Sequence, residues 1–311
     1  MEFSKQYLAS LANKSNFIKD TLEKVLRLSE ILKFLNSDVV FCNKLALKGG
    51  TAINLTTVEL PRLSVDIDLD FTENVKKDEL PDIKEKFKKR LNDYMWQENY
   101  SLVESRDHFA LSSFLYSYIN NAGNRDNIKI EINFLDRCHV FPLEKKTILS
   151  NGVVENFEVL TLNTVELYAS KINALLSRAT PRDLYDVNTM IKKDIVTDLE
   201  NLRKCLVFYN IVGGDYDIQN LDYKNIETLD YKKYKTQLKP VISKSDMFDI
   251  EEAKKTVITF LKTLLVFSNS EKEFLSKIQN NIYIPELLFE DEKIIANIKN
   301  HPAVLWRTSK K

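Results

Sequence analysis

Apolar residues recur at helical spacing near the start of the chain. In FIKDTLEKVLRLSEILKFL they fall at Phe17, Leu22, Val25, Leu26, Leu28, Ile31, Leu32 and Leu35, the buried stripe of an amphipathic helix. With the segment before it, this predicts two packing helices over residues 3–36. The period then shortens to two. A short strand at 44–48 runs into Gly49 and Gly50, a short helix opens at Thr51, and Pro61 precedes a strand over 64–71. In that strand Val65, Ile67, Leu69 and Phe71 take one face and Asp66, Asp68 and Asp70 the other. A second clean alternation spans 128–134, with Ile128, Ile130, Ile132 and Phe134 inward and Lys129, Glu131 and Asn133 opposite. Residues 100–104 and 109–119 read as further strands, 120–127 as a turn, and 139–143 and 157–160 as edge strands. A helix at 78–95 carries the apolar positions Ile83, Phe87, Leu91 and Met95, and its Lys84, Lys86, Lys88, Lys89, Arg90 cluster reads as a solvated face.

From Asn163 the pattern turns helical and stays so. Asn163 with Glu166 three residues on is a capping signature. The helix it opens buries Val165, Tyr168, Ile172, Leu175 and Leu176. Thr180 followed by Pro181 starts a second helix. More helices are expected at 197–210, 249–267, 271–280 and 291–299, with Asp249 and Ser270 as N-caps. Residues 211–247 read as a loop-rich connection, and the Gly213–Gly214 pair inside it carries no signal of its own. The change of pattern near residue 160 predicts an N-terminal sheet domain, 1–160, and a C-terminal helical domain, 161–311, packed tightly for want of a Pro/Gly/Ser-rich linker.

Composition narrows the partners. At 311 residues, two domains is the natural count, and 44% hydrophobic residues suffice for real cores. The 45 basic and 45 acidic residues cancel, so no global charge marks a nucleic-acid binder and any basic surface is local. Cys42, Cys138 and Cys205 are scattered and odd in number, which disfavours a disulfide framework or zinc site and fits a reducing cytoplasm. The first residues lack a signal-peptide core, and VITFLKTLLVF, interrupted by Lys262, is too short to span a bilayer. The expectation is a cytoplasmic protein without a membrane anchor.

The candidate chemistry lies between Leu45 and Phe71. Gly49 and Gly50 permit a tight turn and close backbone approach, and the free N–H groups of the helix that follows favour an anion. Asp66 and Asp68, alternate residues of one strand, are a natural pair for divalent cations, and Mg²⁺ prefers such oxygen ligands beside substrate phosphates. Two metal ions ~4 Å apart clamp the attacking and leaving oxygens of a phosphoryl-type displacement. Glu131, on the second alternating strand, is the candidate third carboxylate. Other catalytic classes fail on residues: there is no Gly-x-x-x-x-Gly-Lys loop, no Gly-x-Ser-x-Gly elbow and no His-Glu-x-x-His.

LKGGT followed by RLSVDIDLDF resembles the signature of the AbiEii/AbiGii toxin nucleotidyltransferases, within the DNA polymerase β-like superfamily. YASKINALLSRATPRDLYDV resembles the family's second signature, a helix with a lysine followed by Arg-Asp-x-x-Asp. The resemblance implies an α/β (α+β) fold: a mixed nucleotidyltransferase sheet with flanking helices, then a helical bundle, with the active site in the cleft between them. It implies that Gly49, Gly50 and Thr51 cradle the triphosphate, with Arg62 and Ser64 leading into the metal-binding Asp66 and Asp68. Glu131 would be the third metal ligand and Lys171 the catalytic lysine. Arg178, Arg182, Asp183 and Asp186 complete the second signature as nucleotide-binding positions. Lys171 and Arg178 are two helical turns apart and so share a face. Asp70 lies outside the pattern.

The implied reaction moves a nucleoside monophosphate from an NTP to an acceptor hydroxyl with two Mg²⁺ ions. RNA, at the tRNA 3′ end, is the expected acceptor, and the protein is expected to be the toxin of a toxin–antitoxin pair with a cognate antitoxin as partner. Two alternatives stand beside it: nucleotidylation of a protein or small molecule, and a nucleotide- or RNA-binding module without turnover.

Overall fold

The protein is described by a computed structural model covering residues 3–213 and 216–309, so Gly214 of the glycine pair and part of the 211–247 connection lie outside the described residues. The chain forms two compact units, one of residues 1–137, 143–161 and 240–246, the other of 138–142, 162–239 and 247–311.

The first unit begins with α1 (Lys5–Ser15), capped by Ser4, and α2 (Lys19–Ser37). Then follow β1 (Leu45–Lys48), α3 (Gly49–Thr56), β2 (Asp66–Phe71), α4 (Leu80–Gln97), β3 (Ser101–Asp107), β4 (Leu111–Ile119), β5 (Arg125–Asn133), β6 (Glu144–Thr147) and β7 (Glu158–Thr161). Among the described residues the seven strands make one mixed sheet in the order β3-β4-β5-β2-β1-β7-β6. β2 runs antiparallel to β1 and parallel to β5, and β1 runs parallel to β7.

The period-two pattern becomes the two faces of this sheet. Ile67, Leu69 and Phe71 of β2, Ile128, Ile130 and Ile132 of β5, and Phe114, Tyr116 and Tyr118 of β4 are buried. Phe71, Phe87 of α4 and Phe134 close into an aromatic cluster, with Phe41 packed 5.0 Å from Phe87. Offset and edge contacts of this kind add to the burial itself. The opposite face is polar and partly exposed, and it carries the aspartates.

Several elements depart from the sequence reading. Residues 139–143 form no strand; the sixth strand is β6, at 144–147. The N–H groups of Val140 and Phe141 instead bond to the buried carboxylate of Glu166, at 2.7 and 3.1 Å. β7 is not an edge strand, because β1 and β6 flank it. The short helix starts at Gly49 rather than Thr51.

The second unit contains α5 (Thr164–Arg178), α6 (Pro181–Lys192), α7 (Leu199–Gly213), the short α8 (Lys224–Glu227) and α9 (Tyr231–Lys233), α10 (Ile250–Leu264), α11 (Asn269–Gln279), α12 (Glu292–Ile298) and α13 (Pro302–Ser309). Asn163 caps α5, accepting from Val165 N, and Thr180 caps α6 with Pro181 at its first position. Glu166 does not return to the cap: it also accepts from Tyr209 Oη at 2.6 Å, so it ties α5 to α7. Burial raises its pKa above the ordinary carboxylate range, although His139, Tyr209 and the two N–H groups pull the other way. The cap of α11 is Ser268, not Ser270, in a complete capping box with Glu271. Among the described residues no helix is long and apolar enough to cross a membrane.

Candidate active site

β1 ends by delivering Gly49 and Gly50 beside the acidic strand. Gly49 has φ +70°, and a Cβ there would stand 2.6 Å from Asp68 Oδ2. A Cβ on Gly50 would stand 2.7 Å from Arg62 Nη2 and 3.2 Å from Ser64 Oγ. At Gly49 the positive φ favours glycine and a side chain would press on Asp68; at Gly50 a side chain would displace the end of Arg62 and crowd Ser64. The turn is held from beneath. Thr51, fully buried, donates to the Asp66 carbonyl at 2.5 Å and lies 2.9 Å from Ser64 Oγ. Asn54 Nδ2 donates to the Gly50 carbonyl at 2.9 Å. Arg62 is buried, with Nη1 on the Leu63 carbonyl, and its backbone bridges Ile242. Thus Gly49, Gly50, Thr51, Arg62 and Ser64 meet around one turn.

The carboxylates come from register. Asp68 is paired with Lys48 on the β1 side and with Glu131 on the β5 side. Asp66 is paired with Lys129 of β5. Asp66, Asp68 and Glu131 are all partly exposed on the polar face. Asp70, by contrast, is buried.

Lys48, the lysine of LKGGT, is the residue to which sequence reasoning gave no role. Its Nζ lies 2.5 Å from Asp70 Oδ1 and 3.6 Å from Asp136 Oδ2. Burial would lower its pKa, but Asp70, Asp136 and Asp68 outweigh that and hold it above the ordinary lysine range. The only signal available was its place immediately before Gly49. Lys129 Nζ, in turn, lies 2.7 Å from Glu131 Oε2.

The donor set suits a hard divalent cation, since Asp66, Asp68 and Glu131 offer oxygen alone. Among the described residues no three His, Cys, Asp or Glu side chains converge on one point as they stand, and Glu131 is turned to Lys129. The chemistry of the set fits such an ion; to hold one, Glu131 would have to leave Lys129 and turn toward Asp66 and Asp68.

The second signature folds into one ion cluster in the helical unit. Lys171 Nζ is 3.0 Å from Asp183 Oδ1 and 3.1 Å from Asp186 Oδ2, and all three side chains are buried. Asp183 also accepts from Arg178 Nε at 2.9 Å, Arg178 Nη2 at 3.1 Å and Thr180 Oγ1 at 2.7 Å. Burial alone would raise the Asp183 pKa, but the Lys171 charge, then Arg178 and Thr180, hold it well below the ordinary carboxylate range. Arg178 is largely exposed beyond its contact with Asp183. Arg182 is partly exposed and lies outside this cluster.

Comparison with known proteins adds three findings. Residues 31–259 match the sequence model of a family described as nucleotidyl transferase AbiEii toxin, type IV toxin–antitoxin system. Among solved structures the fold is similar to MenT4, a nucleotidyltransferase toxin from Mycobacterium tuberculosis H37Rv, with a TM-score of 0.64 at 15% identity over 98% of this chain and 99% of that one. No curated protein matches in sequence.

Proposed function

The chain belongs to the AbiEii family of nucleotidyltransferase toxins, and from that premise we propose how its residues carry the transfer and which acceptor receives it. The enzyme takes a nucleoside triphosphate. An acceptor hydroxyl oxygen forms a bond to the α-phosphorus, the bond from that phosphorus to the pyrophosphate oxygen breaks, and pyrophosphate leaves. The proposed acceptor is RNA, at the 3′ end of tRNA, and the proposed partner is the cognate antitoxin.

The turn at Gly49–Gly50 receives the triphosphate, its backbone N–H groups opening α3 toward the anion. Arg62 and Ser64, within reach of Gly50, support the same phosphates. Asp66, Asp68 and Glu131 would hold two Mg²⁺ ions, which supply charge neutralisation at the reacting phosphate and acidify the attacking hydroxyl. Glu131, opposite Asp68, takes the proton that the hydroxyl loses. In the helical unit Lys171 and Arg178 are the proposed contacts to nucleotide phosphates, with Asp183 and Asp186 fixing the Lys171 ammonium.

One observation carries this reading: the pairing of Asp68 with Glu131 beside a glycine turn closed in by Asp68 and Arg62. The test is to incubate the protein with each α-labelled NTP, Mg²⁺ and total RNA, and to follow label into RNA or protein. Label in RNA that disappears in Asp68→Ala supports the reading. Label that persists in Asp68→Ala removes the site, and nucleotide bound with no transfer to any acceptor favours a binding module.

A further inference from the structure

The polar face of the sheet continues past the carboxylates. Asp68, Glu131, Ser113 and Arg106 are successive register partners across β2, β5, β4 and β3. The row beside it runs Asp66, Lys129, Leu115, Glu104. On the far side of Glu131 these rows enclose a cavity of about 370 Å³, lined among others by Arg106, His108, Leu111, Leu115, Lys129 and Glu131. This is the scale of a small-ligand site, ~300–1,000 Å³.

Its placement relative to the glycine turn is informative. The turn lies on the β1 side of β2, pressed against Asp68. The cavity lies on the opposite side, over β5, β4 and β3. In a phosphoryl displacement the attacking and leaving oxygens are roughly in line. A triphosphate held at the turn therefore leaves the β5 side for the attacking hydroxyl. We propose that this cavity is the acceptor subsite and that it takes the terminal nucleotide of an RNA 3′ end; this rests on the transfer reaction assigned above.

The lining matches that ligand. Arg106 stands two strand spacings from Glu131, ~10 Å along the row. A guanidinium there addresses a backbone phosphate while the hydroxyl of the same terminus sits at Glu131. Lys129 adds positive charge on the same wall, and the exposed His108 adds a polar ring. Leu111 and Leu115 give an apolar floor against which an unstacked base packs. Arg106 is paired with Glu104 at 2.5 Å, and both are well exposed, so the guanidinium exchanges one anion for another at little cost.

The test measures the two ligands separately. Arg106→Ala, Arg106→Lys and Leu115→Ser are compared with the wild-type chain for binding of 5′-fluorescein-labelled total tRNA, over a salt series, and for binding of each NTP with Mg²⁺. Arg106 is exposed on an edge strand, so its variants fold, which thermal unfolding checks. The expected result for Arg106→Ala is tRNA binding weaker by about tenfold and a salt slope smaller by about one, with NTP affinity within about twofold. Arg106→Lys restores part of the loss, and Leu115→Ser weakens tRNA without changing the salt slope. Unchanged tRNA binding in both alanine and serine variants overturns the proposal, as does NTP binding that falls in parallel, or label from α-labelled NTP entering protein instead of RNA. Failure of the parent reading looks different: Asp68→Ala then keeps its Mg²⁺-dependent NTP binding, whatever Arg106 does.

Discussion

Gly49 and Asp68 are so close that a Cβ on the glycine would lie 2.6 Å from the aspartate Oδ2. The glycine also has φ +70°, which costs a side chain about 1–2 kcal/mol. Gly49→Ala therefore has two effects: it strains the turn and pushes Asp68 off its position. The expected outcome is a stability loss of about 1–3 kcal/mol in urea denaturation, with Mg²⁺-dependent NTP binding weakened by more than about tenfold. Adding Asp68→Ala removes the clash but leaves the backbone strain. The double variant is then more stable than the sum of the two single changes requires. Additive losses exclude the steric contact as the cause.

The buried cluster around Asp183 sets an acid limit on the helical unit. Its folded pKa is depressed below the unfolded value of about 3.9, because Lys171, Arg178 and Thr180 outweigh burial. A depressed carboxylate contributes stability that is present above the unfolded value and lost as pH falls through the folded one. Asp183→Asn is expected to cost about 3 kcal/mol at pH 7, since it leaves a buried lysine short of a partner. The gap between wild type and variant narrows as pH falls below about 4. Denaturation at neutral and acid pH checks this, and a gap that does not change with pH contradicts it.

How much of this was legible in the sequence depends on the range of the interaction. Alternation at 64–71 and 128–134 was readable because one face of each strand is buried and the other, Asp70 apart, is partly exposed. The glycine turn, Asn163 and Thr180 were readable because a turn or cap is a local event. The pairing of Asp68 with Glu131 was not, because the register of two parallel strands so far apart in sequence is set by the whole sheet. Lys48 was missed for the same reason: its partners Asp70 and Asp136 come from β2 and from a loop beyond β5. Glu166 shows a local signal overridden. Its carboxylate left the cap of α5 for two backbone N–H groups that have no strand partner, since buried donors must be satisfied.

Lys48 is expected to act on stability as well as on the site. Its ammonium is the charge partner of the buried Asp70, while about a quarter of its own side chain is exposed (25%). Lys48→Met is expected to cost about 2 kcal/mol, between the values for exposed and buried pairs. A raised lysine contributes stability that is complete below its unfolded value of about 10.4 and is lost only as pH rises through the folded value. The loss should therefore be equal at pH 6 and pH 9. Adding Asp70→Asn to Lys48→Met should recover part of it, and no recovery means that the lysine stabilises through packing instead.

Lys129 offers the sharpest separation of roles, because it touches a proposed metal ligand and lines the proposed acceptor subsite. Its ion pair with Glu131 is partly exposed on both sides, 44% and 24%, so it is weak and exchangeable. Any cation that Glu131 binds has to displace the Lys129 ammonium. Lys129→Met removes that competitor, and the Mg²⁺ concentration needed for half-maximal NTP binding is expected to fall by about twofold to fivefold, the equivalent of ~0.4–1 kcal/mol. The same change removes a positive charge from the cavity wall, so tRNA affinity falls and its salt slope shrinks by about one. Opposite signs for Mg²⁺ and tRNA are the expected signature. If both weaken together, Lys129 supports the folded strand rather than either ligand; if Mg²⁺ dependence does not move, Glu131 is not a metal ligand. Glu131→Gln tests the second case directly, since it removes the carboxylate charge while keeping its shape, and Lys129→Met should then have no further effect on Mg²⁺.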